Sequence, residues 1–152
     1  MMVEFRPFGP ADIIALDVQE SQIGQFGIFE PIRDLEHGAQ LQASGPAWTA
    51  IGDDGVMLIC AGFVEVFGDR QATAWALISR EYLCRRSSQA AILRYSRERV
   101  AAAPYRRIEA LCRLGNKKEE HWLSAIGFDC HDQPLRNWGP KSEDYLLYER
   151  IR

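Results

Sequence analysis

The segment "CRRSSQAAIL", from Cys84 to Leu93, joins two stretches of the chain that differ in periodicity. The residues before it, "QATAWALIS", continue a predicted sheet, and the residues after it have the apolar spacing of an amphipathic helix that Pro104 ends. One face of this predicted helix carries Ala90, Leu93, Arg97 and Val100. The two arginines and two serines at its entrance indicate either a solvated helix start or a loop that binds phosphate.

The charge of the chain is unevenly distributed around this segment. Residues 80–107 contain eight arginines and two acidic residues, whereas the whole chain has a net charge of −3. A local positive field in an acidic protein suits a compact polyanionic ligand better than a long nucleic acid. The alternative is a helix face that is rich in arginine and only solvated.

The length of the chain limits its architecture. With 152 residues, of which 47% are hydrophobic, the chain is long enough for one buried core and too short for two ordinary domains. We therefore expect a single domain over residues 1–152, without a linker or an internal repeat.

The cysteines and histidines follow no pattern of a metal site. The sequence has no C-x-x-C, H-x-x-x-H or H-E-x-x-H, and its cysteines are far apart, at Cys60, Cys84, Cys112 and Cys130. We therefore expect no metal site and no disulfide, and a reducing cytoplasm as the location. No run of about 18 apolar residues occurs, so no membrane span is expected.

The N-terminal half predicts one strand, two helices and a hairpin. "VEFRPF" predicts the strand, and Pro10 opens a helix through "DIIALDVQESQIGQF". A second helix is predicted from Ile32 to Gln42. "AWTAIG" and "VMLICAGFVEVFG", separated by "DDG", predict an antiparallel hairpin because Asp-Gly favours a tight turn.

The C-terminal half predicts three more strands and a helix. "RIEALCRL" predicts a strand, and Asn116 with Glu119 predicts a capping box at the start of a helix that ends at Gly127. "FDCHDQPLRNW" and "DYLLYERI" predict a terminal pair of strands. The order β-α-α-β-β-β-α-β-α-β-β indicates a mixed α/β domain, of the α+β type with one mixed sheet.

Two further stretches carry a pattern. "FRPFGPADI" contains Arg-Pro-x-x-x-x-Asp, and "NKKEEHWLSAIGF" begins at Asn116. Together with the element order, they resemble the GNAT superfamily of N-acetyltransferases over nearly the whole chain. The second stretch is similar to the family's N-x-x-A-x-x-(L/F)-Y-x-x-x-G-F, with Glu119 at the usual alanine and Leu123 at the usual tyrosine.

Within that resemblance, the central segment is similar to the family's Q/R-x-x-G-x-G/A loop, which binds the pyrophosphate of coenzyme A at a helix N-terminus. Arg85 stands at the basic position, Ser88 at the first glycine and Ala90 at the second small residue. The resemblance implies acetyl-CoA as co-substrate. The residues that it assigns to acetyl-CoA are Leu77, Ile78, Ser79, Arg80, Arg85, Arg86, Ser87, Ser88, Gln89, Ala90 and Asn116.

The resemblance also implies the reaction, in which an amine attacks the thioester directly. A base removes the proton of the amine, and an acid protonates the leaving thiolate. Glu65 and Glu81 are the candidate bases, and Tyr145 is the candidate acid because Leu123 has no proton to give. Alternatives for the acid are Tyr82, Cys84 and solvent. The acceptor is a small-molecule or peptide amine that the sequence does not identify.

Two other functions stay open. "GPKSEDYLLYER" looks like the last strand of GNAT-like proteins in bacteriophage genomes, including the internal virion protein A group. That resemblance implies an inactive scaffold or binding module, associated with the virion and with its proteins. A homodimer is also left open. A nucleic-acid binder is least favoured, because Tyr95 and Tyr105 are the only aromatic candidates to interleave with the arginines.

Overall fold

The strands of the chain form one mixed sheet in the computed structural model, which describes residues 2–19, 22 and 33–152. The strands are β1 Val3–Pro7, β2 Ala47–Gly52, β3 Met57–Glu65, β4 Gln71–Ile78, β5 Arg107–Arg113, β6 Asp129–Cys130 and β7 Tyr145–Ile151. The helices are α1 Asp12–Ala15, α2 Leu35–Ala43, α3 Arg80–Cys84, α4 Arg86–Ala102 and α5 Lys117–Ala125. The order in the sheet is β1-β2-β3-β4-β5-β7-β6.

The sheet divides between β4 and β5. These two strands are parallel, and their pairing covers Gln71–Thr73 and Arg107–Glu109. Beyond Thr73 the ladder ends, although β4 continues to Ile78 and β5 to Arg113. The two strands therefore separate and leave a wedge-shaped cleft at their carboxyl ends.

The two faces of the sheet contact different helices. One face packs against α4 and α5, with Phe63 in its buried cluster. The opposite face packs against α1 through Cys60 and Leu77. Beside the cleft, β4 presents Ala74 and Ala76, which are only partly buried. Their single methyl groups leave room between the sheet and the two helices.

The predicted fold class is confirmed, and the predicted element order is confirmed with one addition. The short helix α3 stands between β4 and α4. It begins at this point because the Ser79 hydroxyl accepts a hydrogen bond from the N–H of Tyr82 at 3.1 Å.

The first helix is shorter than predicted. The sequence predicts a helix over 12–26, but α1 ends at Ala15, and Leu16 has extended dihedral angles. Val18 then forms a β-bridge with Ser79, and this tertiary contact overrides the local helical preference. The part of the predicted helix at residues 20, 21 and 23–26 lies outside the described residues.

The second helix begins at Leu35, later than the predicted start. Asp34 is its N-cap, because its carboxylate accepts a hydrogen bond from the N–H of His37 at 2.8 Å. Ile32, the predicted start, lies outside the described residues.

The predicted apolar face of α4 is confirmed only in part. Val100 is buried and Leu93 packs against the core, whereas Ala90 and Arg97 are exposed. The buried residues recur every four positions and are Ser88, Ile92, Ser96 and Val100. Two of these four positions are serines, so the apolar pattern marks only part of the face that packs against the sheet.

The two strands of the terminal pair differ in length. β7 agrees with the prediction, but β6 is limited to Asp129–Cys130. The rest of "FDCHDQPLRNW" contacts β7 through an isolated bridge between Leu135 and Tyr145. Pro134 precedes that bridge and has no N–H to donate to a continued ladder.

A buried carboxylate joins β1, β2 and the start of α1. Arg6 donates two hydrogen bonds to Asp12, at 2.8 and 2.7 Å. The Gly9 N–H and the Thr49 hydroxyl donate to the same carboxylate, at 2.9 and 2.8 Å. The Asp12 side chain is only 8% exposed. The Arg-Pro-x-x-x-x-Asp pattern therefore has a structural role in this chain.

Arg150 connects β7 to the end of α4. Its guanidinium donates hydrogen bonds to the carbonyl oxygens of Tyr105, Val100 and Ala103, at 2.7, 3.0 and 3.1 Å. These bonds satisfy carbonyl groups at a helix C-terminus, where no intrahelical donor remains. They also tie the strands on one side of the cleft to the helix that crosses it.

Candidate functional site

A cavity of about 200 Å³ fills the wedge between β4 and β5. Its walls include Ala74 and Ala76 of β4, Ala110 of β5 and Leu123 of α5. Within the described ranges, Glu119 is the one ionisable residue among these walls. The cavity thus combines a mainly apolar surface with a single carboxylate.

The edge of β4 in the cleft is occupied by the side chain of Gln22. Backbone groups of alternate strand residues point to the same side, and the N–H of Ser79 points to β3, where it bonds to Leu58. The backbone groups of Ala76 and Ile78 therefore point into the cleft. There the Gln22 amide accepts from the Ile78 N–H at 2.6 Å and donates to the Ala76 carbonyl at 3.0 Å.

The Gln22 amide makes the hydrogen bonds that a backbone peptide group of a neighbouring strand would make with β4. The Gln22 side chain is buried, with 5% exposure. The N–H of Gln19 also bonds to the carbonyl oxygen of Ile78, at 2.9 Å. A ligand that carries amide groups would meet the same atoms of β4.

Several hydrogen-bond donors around the cavity have no partner among the described residues. They include Trp48 Nε1 and Ser96 Oγ, and both are shielded from solvent. Buried donors without a partner are rare in folded proteins because their desolvation is costly. Their presence at one cavity points to a ligand that supplies acceptor oxygens.

A groove of about 600 Å³ lies between the start of α4 and α5. Trp122 lines both this groove and the cavity. Arg86, Lys118 and His121 also line the groove. The first N–H groups of α4 have no intrahelical acceptors and form the positive end of the helix dipole. The groove is therefore suited to an anion.

Arg85, the basic residue of the predicted loop, is held by two carboxylates. It donates to both oxygens of Asp54, at 3.0 and 2.8 Å, and lies 3.1 Å from Glu81. Hydrogen bonding from Arg85 lowers the pKa of Asp54 to about 2. Arg85 thus ties the β2–β3 turn to α3, and Arg86 is the arginine that lines the groove.

The structure does not bring the three predicted catalytic residues together. Glu65 ends β3, beside the paired part of β4 and β5, and accepts a hydrogen bond from the Tyr105 hydroxyl at 2.6 Å. Glu81 lies on α3 and pairs with Arg85. Tyr145 is buried at the start of β7. None of the three is among the described walls of the cavity.

Apart from Arg85 and Asn116, the residues predicted for acetyl-CoA fall into three groups. Those that line the cavity or the groove are Ile78, Arg86, Gln89 and Ala90. Those with buried side chains are Leu77, Ser79 and Ser88. Arg80 and Ser87 are exposed and line neither the cavity nor the groove. The buried residues offer a ligand at most their backbone atoms.

Asn116 precedes α5 without capping it. Its side chain makes no cap hydrogen bond, and its Nδ2 is buried without a partner in the described part of the chain. The predicted capping box with Glu119 is therefore wrong. Glu119 lines the cavity.

Sequence reasoning did not place Gln22, Glu119, Lys118 or His121 in the site. The position of Glu119 could have been found from helical spacing, because it lies one turn before Leu123 and shares its face. Gln22 gave no such signal, since the sequence around it predicts an ordinary amphipathic helix. The contacts of Gln22 with β4 depend on tertiary structure alone.

The four cysteines are expected to separate into two classes of reactivity. Burial raises the pKa of Cys60 and of Cys112 to about 12, whereas Cys84 and Cys130 are exposed. Because the thiolate is the nucleophile, iodoacetamide at neutral pH should label only the two exposed thiols of the native protein. Intact mass measurement would show this, with all four labelled in denaturant. Native labelling of Cys112 as fast as Cys130 would contradict the burial of Cys112.

The described residues show no helix long and apolar enough to cross a bilayer. The same residues include no group of three or more histidine, cysteine or acidic side chains arranged to hold a metal ion.

Solved structures with the same architecture are acetyltransferases. A protein described as a candidate phosphinothricin N-acetyltransferase matches with a TM-score of 0.76 and 17% identity, over 99% of this chain and 98% of that chain. A GNAT-family acetyltransferase from Bacillus anthracis gives 0.72 and 13%, over 99% and 95%. A spermidine/spermine N-acetyltransferase from Vibrio cholerae gives 0.66 and 13%, over 98% and 92%. The chain therefore has the GNAT fold.

Other comparisons add no closer relationship. No protein-family model matches the chain, and no curated protein matches it in sequence. The three structures above share the fold at 13% to 17% identity, and none of them is a phage virion protein. The narrower resemblance to phage proteins gains no support from them.

Proposed function

We propose that the protein binds a coenzyme A thioester and transfers its acyl group to an amine. The observation that carries this proposal is the adjoining pair of sites: a cleft in which the edge of β4 pairs with a side-chain amide and no neighbouring strand, and a positively charged groove at a helix N-terminus. A coenzyme A thioester has the complementary groups, because it joins a diphosphate to an amide-containing arm and a reactive thioester. The acetyltransferases that share the fold agree with this assignment.

The charged groove fits the phosphate groups. Arg86, Lys118 and His121 would hold them, together with the first N–H groups of α4. Ser88, at the glycine position of the loop, does not narrow this approach, because its side chain is fully buried on the core side of α4. The assignment moves the main phosphate contact from Arg85 to Arg86.

The cleft fits the arm and the thioester. The Ile78 N–H and the Ala76 carbonyl are the backbone groups that would pair with the amides of the arm, in place of Gln22. The amine nitrogen would attack the thioester carbonyl carbon, the carbon–sulfur bond would break, and an amide and a free thiol would leave. The acceptor class is an amine, by analogy with the spermidine, spermine and phosphinothricin named for the similar structures.

Charge reversal in the groove tests the proposal. The double variant Arg86→Glu, Lys118→Glu should weaken coenzyme A binding by about 100-fold or more, because two charge-assisted hydrogen bonds are lost at about 1.5 kcal/mol or more each. Isothermal titration with coenzyme A and with acetyl-CoA measures the effect. The matched control is Arg94→Glu, Arg97→Glu, which reverses two charges on the exposed side of α4, outside the described groove walls.

The two pairs of variants separate a specific site from general charge. If both double variants weakened coenzyme A binding equally, only the overall positive charge of α4 would matter. That result would contradict a phosphate site in the groove. No binding of either ligand by the unmodified protein would refute the proposal. Binding to DNA or RNA that falls steeply with salt would instead support the nucleic-acid alternative.

A second function, coenzyme A binding without turnover, is favoured by one observation. Leu123, which lines the cavity, provides no proton at the tyrosine position of the family pattern. This alternative predicts normal titration with acetyl-CoA and no acylated product with any amine. Product analysis by mass spectrometry distinguishes it from acyl transfer.

A further inference from the structure

Glu119 lies in the cleft and is not used by the phosphate groove or by the edge of β4. It stands on α5 one helical turn before Leu123, and both residues line the cavity. Its Oε2 is 3.8 Å from the thiol of Cys112 on β5. The carboxylate is therefore placed between α5 and one of the two strands that border the cleft.

Acyl transfer from a thioester to an amine requires a proton to move. The attacking nitrogen must lose a proton, and the departing sulfur must gain one. The other described residues that line the cavity have aliphatic, aromatic, hydroxyl or amide side chains. These groups do not exchange protons readily near neutral pH. Glu119 is the side chain there with the chemistry for this step.

We propose that Glu119 carries the proton from the amine nitrogen to the sulfur. The inference rests on the proposed acyl transfer and assigns its proton-transfer residue. The ionised carboxylate accepts the proton as the nitrogen–carbon bond forms. The carbon–sulfur bond then breaks, and the same carboxyl group gives that proton to the sulfur. Glu119 ends each turnover ionised, and the products are an amide and a thiol.

Cys112 supports this role as a neutral neighbour. Burial, followed by the charge of Glu119, raises the pKa of Cys112 to about 12. The thiol therefore stays protonated at neutral pH, with the Arg113 carbonyl at 3.5 Å and the Glu119 carboxylate at 3.8 Å as its acceptors. A protonated thiol does not compete with Glu119 for the transferred proton.

The unpartnered donors around the same cavity provide independent support for a reacting carbonyl. Trp48 and Ser96 line this cavity, and Trp48 Nε1 and Ser96 Oγ have no hydrogen-bond partner among the described residues. A thioester carbonyl oxygen gains negative charge during attack, and placed donors stabilise that charge. The carboxylate and these donors line one cavity, so proton transfer and stabilisation of the carbonyl oxygen would take place at the same site.

Steady-state kinetics of matched variants test the assignment. The assay uses acetyl-CoA with spermidine, phosphinothricin or trialanine, and follows acylated product by mass spectrometry, because the exposed thiols of Cys84 and Cys130 would interfere with thiol reagents. Glu119→Gln should lower kcat by about 100-fold or more, the contribution of a positioned proton-transfer group. Glu119→Asp should recover part of that loss. Glu98→Gln, at an exposed position of α4, should stay within about twofold of the unmodified protein.

Two further readouts separate proton transfer from a structural role. The KM for acetyl-CoA should change by less than about threefold in Glu119→Gln, because the lost interaction acts in the transition state. The rise of kcat with pH that reports an ionising carboxyl group should disappear in the same variant. A merely structural change would alter KM or the melting temperature and would leave the shape of the pH profile intact.

The outcomes also distinguish this inference from the function on which it rests. A kcat of Glu119→Gln within about threefold of the unmodified value would overturn the proton-transfer role and leave acyl transfer in place. Coenzyme A binding without any product in the unmodified protein would overturn the role and leave a binding protein. Absence of coenzyme A binding would overturn both.

Discussion

Replacing Asp12 with alanine is expected to lower the free energy of unfolding by about 3 to 5 kcal/mol, because a buried carboxylate that accepts four hydrogen bonds is removed and its donors are left unsatisfied. The Arg6 guanidinium, the Gly9 N–H and the Thr49 hydroxyl would all lose their shared acceptor. Chemical denaturation measures the loss. For a chain of this size it corresponds to a fall in melting temperature of about 10 °C.

Asp17→Ala is the matched control for that experiment. Asp17 is also an aspartate near an arginine, but its side chain is 72% exposed and lies 3.8 Å from Arg80. An exposed pair of this kind contributes less than about 1 kcal/mol. Similar losses for the two variants would show that the Asp12 contacts do not hold the N-terminal region to the sheet.

The Asp12 contribution should also depend on pH. Burial by itself raises the pKa of this carboxyl group, but the hydrogen bonds from Arg6, Gly9 and Thr49 together bring it below the ordinary value. Its folded pKa therefore lies below its unfolded pKa of about 3.9, so the stabilisation is complete above that value and is lost as the pH falls through the folded pKa. The stability difference between the unmodified protein and Asp12→Asn should narrow on acidification below about pH 4.

Removing the Gln22 side chain is expected to tighten coenzyme A binding by about tenfold. In the proposed complex, the arm of the ligand takes the Ile78 N–H and the Ala76 carbonyl, which Gln22 occupies at 2.6 and 3.0 Å. The ligand must therefore break two internal hydrogen bonds, each with a net contribution of about 0.5 to 1.5 kcal/mol. Gln22→Ala removes that competition, and a gain of about 1.4 kcal/mol corresponds to tenfold in affinity.

Titration of Gln22→Ala and of Gln133→Ala with coenzyme A compares the cleft with the surface. Gln133 is exposed in the segment before β7, so its replacement should leave affinity within about twofold. A weaker affinity in Gln22→Ala would mean that the amide contacts the ligand and does not compete with it. That result would contradict the placement of the ligand arm on β4. It would not bear on the phosphate site, which the charge-reversal variants test separately.

The sequence was most informative where local chemistry determines an element. The Asp-Gly turn, the strand "RIEALCRL" and the helix that ends at Gly127 all have local signals, and each appears in the structure. The helix predicted over 12–26 failed for the opposite reason. Val18 bridges Ser79, and this contact between distant residues has no signature in the local sequence.

The candidate site was harder to predict than the fold because its geometry is non-local. The sequence predicts a basic loop with Arg85 as its main residue, whereas the structure shows that Asp54 pairs with Arg85 and that Arg86 lines the groove. Spacing along the chain cannot distinguish these neighbouring arginines. Gln22 lies more than fifty residues from the strand that it bonds, so no motif could have revealed its role.

The separation of β4 and β5 also has a mechanical consequence. The sheet consists of two groups of strands, β1 to β4 and β5 to β7. The seam between them is the β4–β5 ladder, which pairs only three residues of each strand. A small rotation about that seam changes the distance between the two groups and leaves every antiparallel ladder intact. Arg150 and α4 span the seam as a brace, through bonds of 2.7 to 3.1 Å. Side chains that lie outside the cleft thus connect β7 to the end of the helix that packs on the sheet.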